Sequence, residues 1–341
     1  MKRHFKLIAG VILAHTLFFS GCTKSPSKQK GTSIAVFVPG IMADSPTYAN
    51  LAKGVQAGVD EFNSQLGEGK EKVQLYIMEA GTNQAEWATK MTALAADGSY
   101  DVIISSNPSI PELANELSKK FNKQRFVILD GALEGNENIA CVSYDQREQT
   151  YLSGYISGLM SKTHKVAVIS AQDYPVMNNI LHPYYARGAS DAVSGTTCEY
   201  RVVGNWYDAS KGAELADSLY SAGVDVIMPI CGGASQGVIS SAVEHGIFLS
   251  YIDENSFAKA PGTVISSCAT KQAKASKECT LDFLSGKTKW GTTLTLGLKE
   301  GYIEFIQNDP LYESTVPEEI RNQMKSLVDA LTDGTKTVPS L

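Results

Sequence analysis

The sequence predicts an α/β protein of two lobes, each built on a small, doubly wound parallel sheet. Short apolar runs alternate with segments of helical periodicity along most of the chain. This alternation is typical of parallel strands that are connected by helices and covered on both faces. It is interrupted around residues 139–150, after which the helix-forming segment 151–162 starts a second series of strands and helices. We therefore expect the second lobe to begin there.

Seven apolar runs predict strands, and amphipathic segments lie between them. After the first run, Leu51, Val55 and Val59 fall on one face of a predicted helix. The predicted strands are Ile34–Val38, Val73–Met78, Val102–Ile104, Phe126–Leu129, Val166–Ile169, Val226–Ile230 and Phe248–Ile252.

Polar, aromatic or glycine residues follow the predicted strands. Asn107 follows the third run, Asp130 the fourth, and Asp253 the seventh, while Trp206 and Gly232 stand in two further loops of the second lobe. In open parallel sheets, ligands bind outside the carboxyl ends of the strands. These five residues are therefore candidates for a ligand site.

The N-terminal segment predicts export and a lipid anchor. Lys2, Arg3 and Lys6 form a basic region, and an apolar stretch too short to span a bilayer runs from there to Phe19. Small residues then precede Cys22, whose thiol could carry a diacylglycerol. We expect residues 1–21 to be a lipoprotein signal peptide and residues 22–32 a lipidated tether. An ordinary secretory peptide, with Cys22 a bystander, is the alternative.

Charge and cysteine content exclude several classes of partner. The formal charge is −6 and becomes −9 once Lys2, Arg3 and Lys6 are removed, which argues against nucleic acid. After the signal, no apolar stretch approaches the ~20 residues of a membrane span. Neither a complete disulfide framework nor a zinc site is indicated, because an odd number of cysteines remains at irregular spacing. These are Cys141, Cys198, Cys231, Cys268 and Cys279.

The sequence offers no catalytic constellation, so we expect a protein that is not an enzyme and needs no cofactor. Only His164, His182 and His245 remain in the mature chain, none at metal-ligand spacing, and no GxSxG, HExxH or GxGxxG motif is present. A hydrolase that uses Asp130 and Asp253 is the enzymatic alternative.

Several segments resemble the basic membrane protein family of ABC-importer receptors, which includes purine-nucleoside receptors of spirochaetes. The similarity covers Ile34 to Pro339, and its most specific parts are YLSGYISGLMSKTHKVAVIS, GNWYDASKGAELADSLYSAGVDVIMPICGGASQGVISSAVEHG, YIDENSF and SSCATKQ. It implies a type I periplasmic-binding-protein fold with a ligand cleft between the lobes and about three crossings of the chain. We expect lobe 1 to comprise 33–140 and about 256–285, and lobe 2 to comprise 141–255 and about 286–341.

The resemblance also implies ligand-binding residues. Elements that bind ribose in the family correspond to Gly232, Asp253 and Lys271. A carboxylate that accepts hydrogen bonds from two hydroxyls, beside an ammonium group that donates one, suits a polyol. As alternatives, Asp253 could be a hinge residue and Lys271 a solvated helix residue.

The first loop departs from the family pattern. Nucleoside-binding relatives carry Asp-Lys-Ser-Phe-Asn where this chain has Asp44-Ser45-Pro46-Thr47-Tyr48, so the stacking Phe is absent. The family's second stacking aromatic corresponds to Trp206, and we expect Trp87 and Tyr48 near the same cleft, although both could be core residues. We expect Asp44, Asn107 and Asp130 to contact the polar edge of the ligand. This wide aromatic surface is similar to that of riboflavin-uptake lipoproteins of spirochaetes.

The function expected from the resemblance is that of a substrate-binding lipoprotein of an ABC importer. It would capture riboflavin as transported ligand, deliver it to a permease, act as a monomer, and be anchored at the periplasmic face of the bacterial inner membrane. A purine-nucleoside receptor is the alternative within the family. An adhesin or surface antigen with an idle cleft is the alternative outside it.

Overall fold

The computed structural model describes residues 31–341, which form twelve strands and ten α-helices. The strands are β1 Ser33–Val38, β2 Gln74–Glu79, β3 Val102–Ser106, β4 Arg125–Leu129, β5 Ile139–Tyr144, β6 Lys165–Ser170, β7 Thr197–Val202, β8 Val226–Ile230, β9 Phe248–Asp253, β10 Val264–Thr270, β11 Thr293–Leu296 and β12 Ile303–Phe305. The helices are α1 Pro46–Ser64, α2 Gln84–Asp97, α3 Ile110–Lys120, α4 Gln146–Met160, α5 His182–Ala192, α6 Ala209–Ser221, α7 Ser235–His245, α8 Gln272–Leu284, α9 Pro310–Thr315 and α10 Glu318–Thr332.

The strands form two six-stranded sheets with the same order. The first sheet runs β11-β5-β4-β3-β1-β2 and the second β12-β10-β9-β8-β6-β7. All neighbours pair in parallel except β12, which is antiparallel to β10. The prediction of two parallel-sheet lobes is therefore confirmed. The matching strand orders also reveal an internal structural repeat that sequence identity does not display.

Local sequence explains where the elements begin and pack. Asn83 and Asp145 accept hydrogen bonds from backbone N–H groups at the starts of α2 and α4, which satisfies donors that a helix terminus leaves free. Helix α1 packs closely on α8 at Gly54, where an added Cβ would lie only 2.0 Å from Ser276 Oγ. The central strands β1, β3, β4 and β6 are almost entirely buried, as expected for sheets covered on both faces.

The chain crosses between the lobes three times, but at positions that differ from the expected boundaries. Residues 139–144 and 293–296 pair in the first sheet, whereas residues 264–270 pair in the second. The expected boundaries at 140, 256 and 286 would instead have cut residues 139–144, placed residues 264–270 in lobe 1 and placed residues 293–296 in lobe 2. The reason is that strand partners are fixed by long-range pairing, and the sequence around each crossing has no marker for it.

Hydrogen bonds tie the three crossings together. The N–H of Asp145 donates to the Leu296 carbonyl (2.8 Å), and Glu148 Oε2 accepts from the N–H of Leu298 (2.7 Å). The N–H of Lys271 donates to the Tyr302 carbonyl (2.8 Å). The three connections therefore lie side by side and form the hinge region of the molecule.

The predicted signal peptide and Cys22 lie outside the described residues, as does nearly all of the predicted tether. None of the helices within residues 31–341 combines the length and apolar character that a bilayer crossing needs.

Candidate functional site

The candidate site lies where the carboxyl ends of the two sheets face each other across the interlobe cleft. The first lobe contributes Tyr48 and Asp130, and the second contributes Tyr174 and Asp253. Charge on Asp130 and Tyr174 acts on the Tyr48 phenol, and charge on Asp253 acts on Asp130. The two lobes are therefore close enough at this point for their polar groups to interact.

Tyr48 and Asn107 form the polar edge of the first lobe. Asn107 Nδ2 donates to the Tyr48 hydroxyl (3.0 Å), and Asn107 Oδ1 accepts from the N–H of Ser109 (2.9 Å). Burial raises the pKa of Tyr48 to about 12, although the bond from Asn107 opposes this effect. The phenol is therefore neutral and can donate a hydrogen bond.

Asp130 and Asp253 occupy equivalent positions in the two lobes, one after β4 and the other at the end of β9. Both have left-handed backbone conformations, with φ of 52° and 72°, which cost about 1–3 kcal/mol in non-glycine residues. Burial between the lobes raises the pKa of Asp130 to about 8, with a further contribution from the charge of Asp253. Burial likewise raises the pKa of Asp253 to about 6.

Trp206 provides the aromatic surface of the second lobe. Its indole lies beside the Tyr174 ring, with centroids 6.3 Å apart and planes inclined by 26°. Gly232, with φ of 56°, lies under this indole, and a Cβ added there would be 3.2 Å from Trp206 Cε3. The Trp206 Nε1 atom is buried and has no hydrogen-bond partner among the described residues. Sequence analysis thus identified a pair of residues that the fold brings into contact.

The structure does not bring Trp87 to this site. Trp87 is 8% exposed, and its ring packs in the core of the first lobe with Phe37 and Met91. Its Nε1 donates to the Gly81 carbonyl (2.8 Å), so its polar atom is satisfied within the lobe. The structure therefore shows the core position that the sequence left open for Trp87, because the helical stripe that carries it faces the sheet.

Lys271 follows β10, next to Thr270, whose Oγ1 donates to the Asp253 carbonyl (3.3 Å). Its ammonium group forms an ion pair with Glu304 of β12, at the outer edge of the second sheet. The structure thus shows an acidic partner of Lys271 that the sequence did not indicate. The expected role of Lys271 beside Asp253 in holding hydroxyls stays a prediction.

Asp44 ends a one-turn helix, Met42–Asp44, in the loop that follows β1. The loop lies at the same edge of the sheet as Asp130. The contact of Asp44 with a ligand stays a prediction.

Sequence reasoning missed three residues of the site, namely Gln146, Gln149 and Tyr174. Gln146 Nε2 donates to Asp130 Oδ1 (3.3 Å), and Gln149 Nε2 donates to the Cys268 carbonyl (2.9 Å) and lies 3.4 Å from Asp253 Oδ1. The two glutamines are three residues apart at the start of α4, so they share a face of the helix. The available sequence signal was that two glutamines, three residues apart, follow Asp145, the polar residue that caps helix α4.

The arrangement suits binding more than catalysis. Carboxyl, amide and phenol groups converge beside an aromatic surface, and such groups accept and donate hydrogen bonds to a hydroxylated ligand. Within residues 31–341, no three His, Cys, Asp or Glu side chains are grouped as a metal ion would need.

A family model described as ABC transporter substrate-binding protein, PnrA-like, matches residues 31–332. The chain is 27% identical over 257 residues to a CD4+ T-cell-stimulating antigen of Listeria monocytogenes, covering 71% of this chain and 68% of the relative. It is 21% identical over 375 residues to the ABC transporter nucleoside-binding protein BmpA of Lactococcus lactis, covering both proteins completely. A solved structure of an ABC transporter solute-binding protein from Aeropyrum pernix K1 superposes with a TM-score of 0.70 at 18% identity, covering 91% of this chain and 94% of that one.

Proposed function

This chain belongs to the Bmp family of PnrA-like ABC transporter substrate-binding proteins, and we propose that it captures riboflavin between its lobes and delivers it to an ABC permease. The proposal is supported by the Trp206 indole, whose buried Nε1 has no hydrogen-bond partner in the part of the chain that the structure describes, together with Asp130 and Asp253 at the same cleft. A flavin has the two matching parts, which are a flat three-ring system and a hydroxylated chain.

The expected affinity follows from these two parts. Stacking of a flat heterocycle on an aromatic side chain contributes about 1–3 kcal/mol per face. Each net hydrogen bond from the polar edge of the ring to Asp130, or from the hydroxylated chain to Asp253, contributes about 0.5–1.5 kcal/mol, and more when the carboxyl is charged. Several such contacts together reach the ~8 kcal/mol of a micromolar complex.

A purine nucleoside is the second candidate ligand. The Lactococcus lactis relative is named as nucleoside-binding, and a nucleoside also combines a flat ring with adjacent hydroxyls. The first loop argues for the wider flavin, since Thr47 stands in place of the stacking Phe of nucleoside-binding relatives, and Tyr48, bonded to Asn107, stands in place of their Asn.

We also propose that Cys22 carries a lipid and holds the protein at the outer side of the cytoplasmic membrane. Cells that express the full chain should incorporate labelled palmitate into it, and Cys22→Ser should abolish the label. Incorporation that persists in Cys22→Ser would contradict the anchor.

The ligand is tested on the chain from Ser25 onward. We expect the purified protein to bind riboflavin with micromolar or tighter affinity in calorimetry, to show flavin absorbance when loaded, and to return the ligand chemically unchanged. Binding of inosine or adenosine but not riboflavin would favour the nucleoside receptor. Binding of none of them would contradict both candidates, and a modified ligand would indicate an enzyme.

A further inference from the structure

The two cleft carboxyls come from opposite lobes and each contacts a glutamine of helix α4, and within residues 31–341 neither forms an ion pair with a basic side chain. We propose that the cleft takes up one proton together with its ligand and holds that proton on the pair Asp130 and Asp253. The inference deepens the proposed function and rests on it, because it concerns the ligand that these lobes enclose. No bond other than that to the proton forms or breaks, and solvent supplies the proton.

The geometry of α4 is the first support. Gln146 and Gln149 lie one helical turn apart, and each directs its Nε2 to one of the two carboxyls, at 3.3 Å and 3.4 Å. Helix α4 therefore connects the carboxyl of the first lobe to that of the second immediately after a hinge crossing. A carboxyl pair that is held by neutral amides lacks the charge compensation that two carboxylates require.

Within residues 31–341, no positive charge acts on Asp130. The titratable groups that interact with it are the Tyr48 phenol from α1, the Tyr144 phenol from β5 and Asp253. Burial raises the pKa of both phenols above 10, so they are neutral at pH 7. Asp130 thus faces one carboxyl and several neutral groups.

The surroundings of Asp253 contain one cation, which another acid engages. Lys259 lowers the pKa of Asp253 only weakly, and its ammonium group is paired with Glu254 and lies over the Tyr251 ring. The other titratable groups that interact with Asp253 are Asp130, Glu254, the Tyr144 phenol and the buried Cys268 thiol, and burial raises the pKa of that thiol well above 9. The pair therefore meets mainly neutral or negative groups from every element around it.

These contacts determine the direction of the pH effect. Where two carboxyls interact at close range in a site of low polarity, one of them retains its proton above its ordinary range. Burial and the charge of Asp253 raise the pKa of Asp130 to about 8. Deprotonation above that pH would oppose closure of the lobes on a neutral ligand, and affinity should fall.

The test is the pH dependence of riboflavin and inosine binding by the chain from Ser25 onward, measured by calorimetry from pH 6 to pH 9. We expect the affinity of the wild-type chain to fall above pH 8 with a limiting slope of about tenfold per pH unit. Titrations in buffers of different ionisation enthalpy should show uptake approaching one proton per ligand at pH 8–9.

Asp130→Asn should remove this fall in affinity. Between pH 7 and pH 9, the affinity of the variant should therefore decrease less than that of the wild-type chain. Asp253→Asn is the second variant and should also flatten the profile. Glu148→Gln is the matched control, because burial raises the pKa of this hinge carboxyl to about 7 without contact with the pair. It should keep the wild-type slope above pH 8.

A flat wild-type profile, or an Asp130→Asn profile that parallels the wild-type one, would overturn the inference and leave the proposed function intact. A slope that disappears in Glu148→Gln but not in Asp130→Asn would overturn it too. Failure of both ligands to bind at any pH would overturn the proposed function, and the inference with it.

Discussion

Trp87 and Trp206 have the same side chain but lie in two different regions of the molecule. Trp87 lies on a helix that covers the first sheet, and its indole N–H donates to the Gly81 carbonyl. Trp206 lies in a loop at the cleft, and its N–H is buried without a partner among the described residues. Buried polar atoms are normally paired, so an unpaired one needs an explanation.

The difference separates a tryptophan that stabilises a lobe from one that we propose binds a ligand. Trp87 is packed in the core and its polar atom is satisfied within the lobe. At the cleft edges, the non-glycine residues Asp130 and Asp253 have left-handed conformations, and burial raises the pKa of both carboxyls. Backbone strain of this kind is concentrated at functional sites.

The largest expected effect is on stability at Trp87. Trp87→Ala should lower the free energy of unfolding by about 3–5 kcal/mol, because it leaves a large cavity in the core of the first lobe. Riboflavin affinity of the folded variant should stay close to that of the wild-type chain. Denaturant unfolding measures the stability and calorimetric titration the affinity. A loss of affinity with normal stability would indicate that Trp87 contacts the ligand.

The second effect is on affinity at Trp206. Trp206→Ala should weaken riboflavin binding by about 1–3 kcal/mol, or 5- to 150-fold, because one stacking face is lost. Tyr207→Ala is the matched control, since this neighbouring aromatic side chain is 74% exposed. Equal losses in both variants, or no loss in Trp206→Ala, would contradict the assignment of Trp206.

A smaller effect is expected at the glycine turn under the indole. Gly232→Ala should reduce affinity several-fold, because φ is 56° and the added Cβ would meet Trp206 O at 3.0 Å and Trp206 Cε3 at 3.2 Å. Gly233→Ala is the control, since its nearest contact, Trp206 O, would lie at 3.4 Å. Titration of both variants with riboflavin would contradict this account if Gly233→Ala were the more harmful change.

The smallest effect is expected at Lys271. Its exposed ion pair with Glu304 contributes about 0–1 kcal/mol to stability, and Lys271→Ala should leave riboflavin affinity unchanged. Thermal unfolding and calorimetry are the measurements. A loss of affinity of tenfold or more would support the role that the family resemblance implied for this lysine.

Sequence reasoning predicted the features that depend on local pattern. Apolar runs and the residues after them identified both parallel sheets and located Asn107, Asp130, Trp206, Gly232 and Asp253 at strand ends. These predictions held because strand period and turn chemistry are properties of a few neighbouring residues.

The features that were missed depend on contacts between distant parts of the chain. The sequence left two positions open for Trp87 because a helical stripe does not reveal whether it faces a sheet or a cleft. The ion pair of Lys271 was missed because its partner, Glu304, is 33 residues away on the antiparallel strand β12. Gln149 was missed because its role depends on the simultaneous approach of Cys268 and Asp253.

The most direct test of the central claim is a crystal structure of the chain from Ser25 onward, grown with riboflavin. The account predicts a riboflavin molecule enclosed by both lobes, with the flavin ring against the Trp206 indole, its polar edge within hydrogen-bond distance of Asp130, and the ribityl hydroxyls within hydrogen-bond distance of Asp253. A riboflavin molecule bound outside the cleft, or in contact with only one lobe, would contradict it.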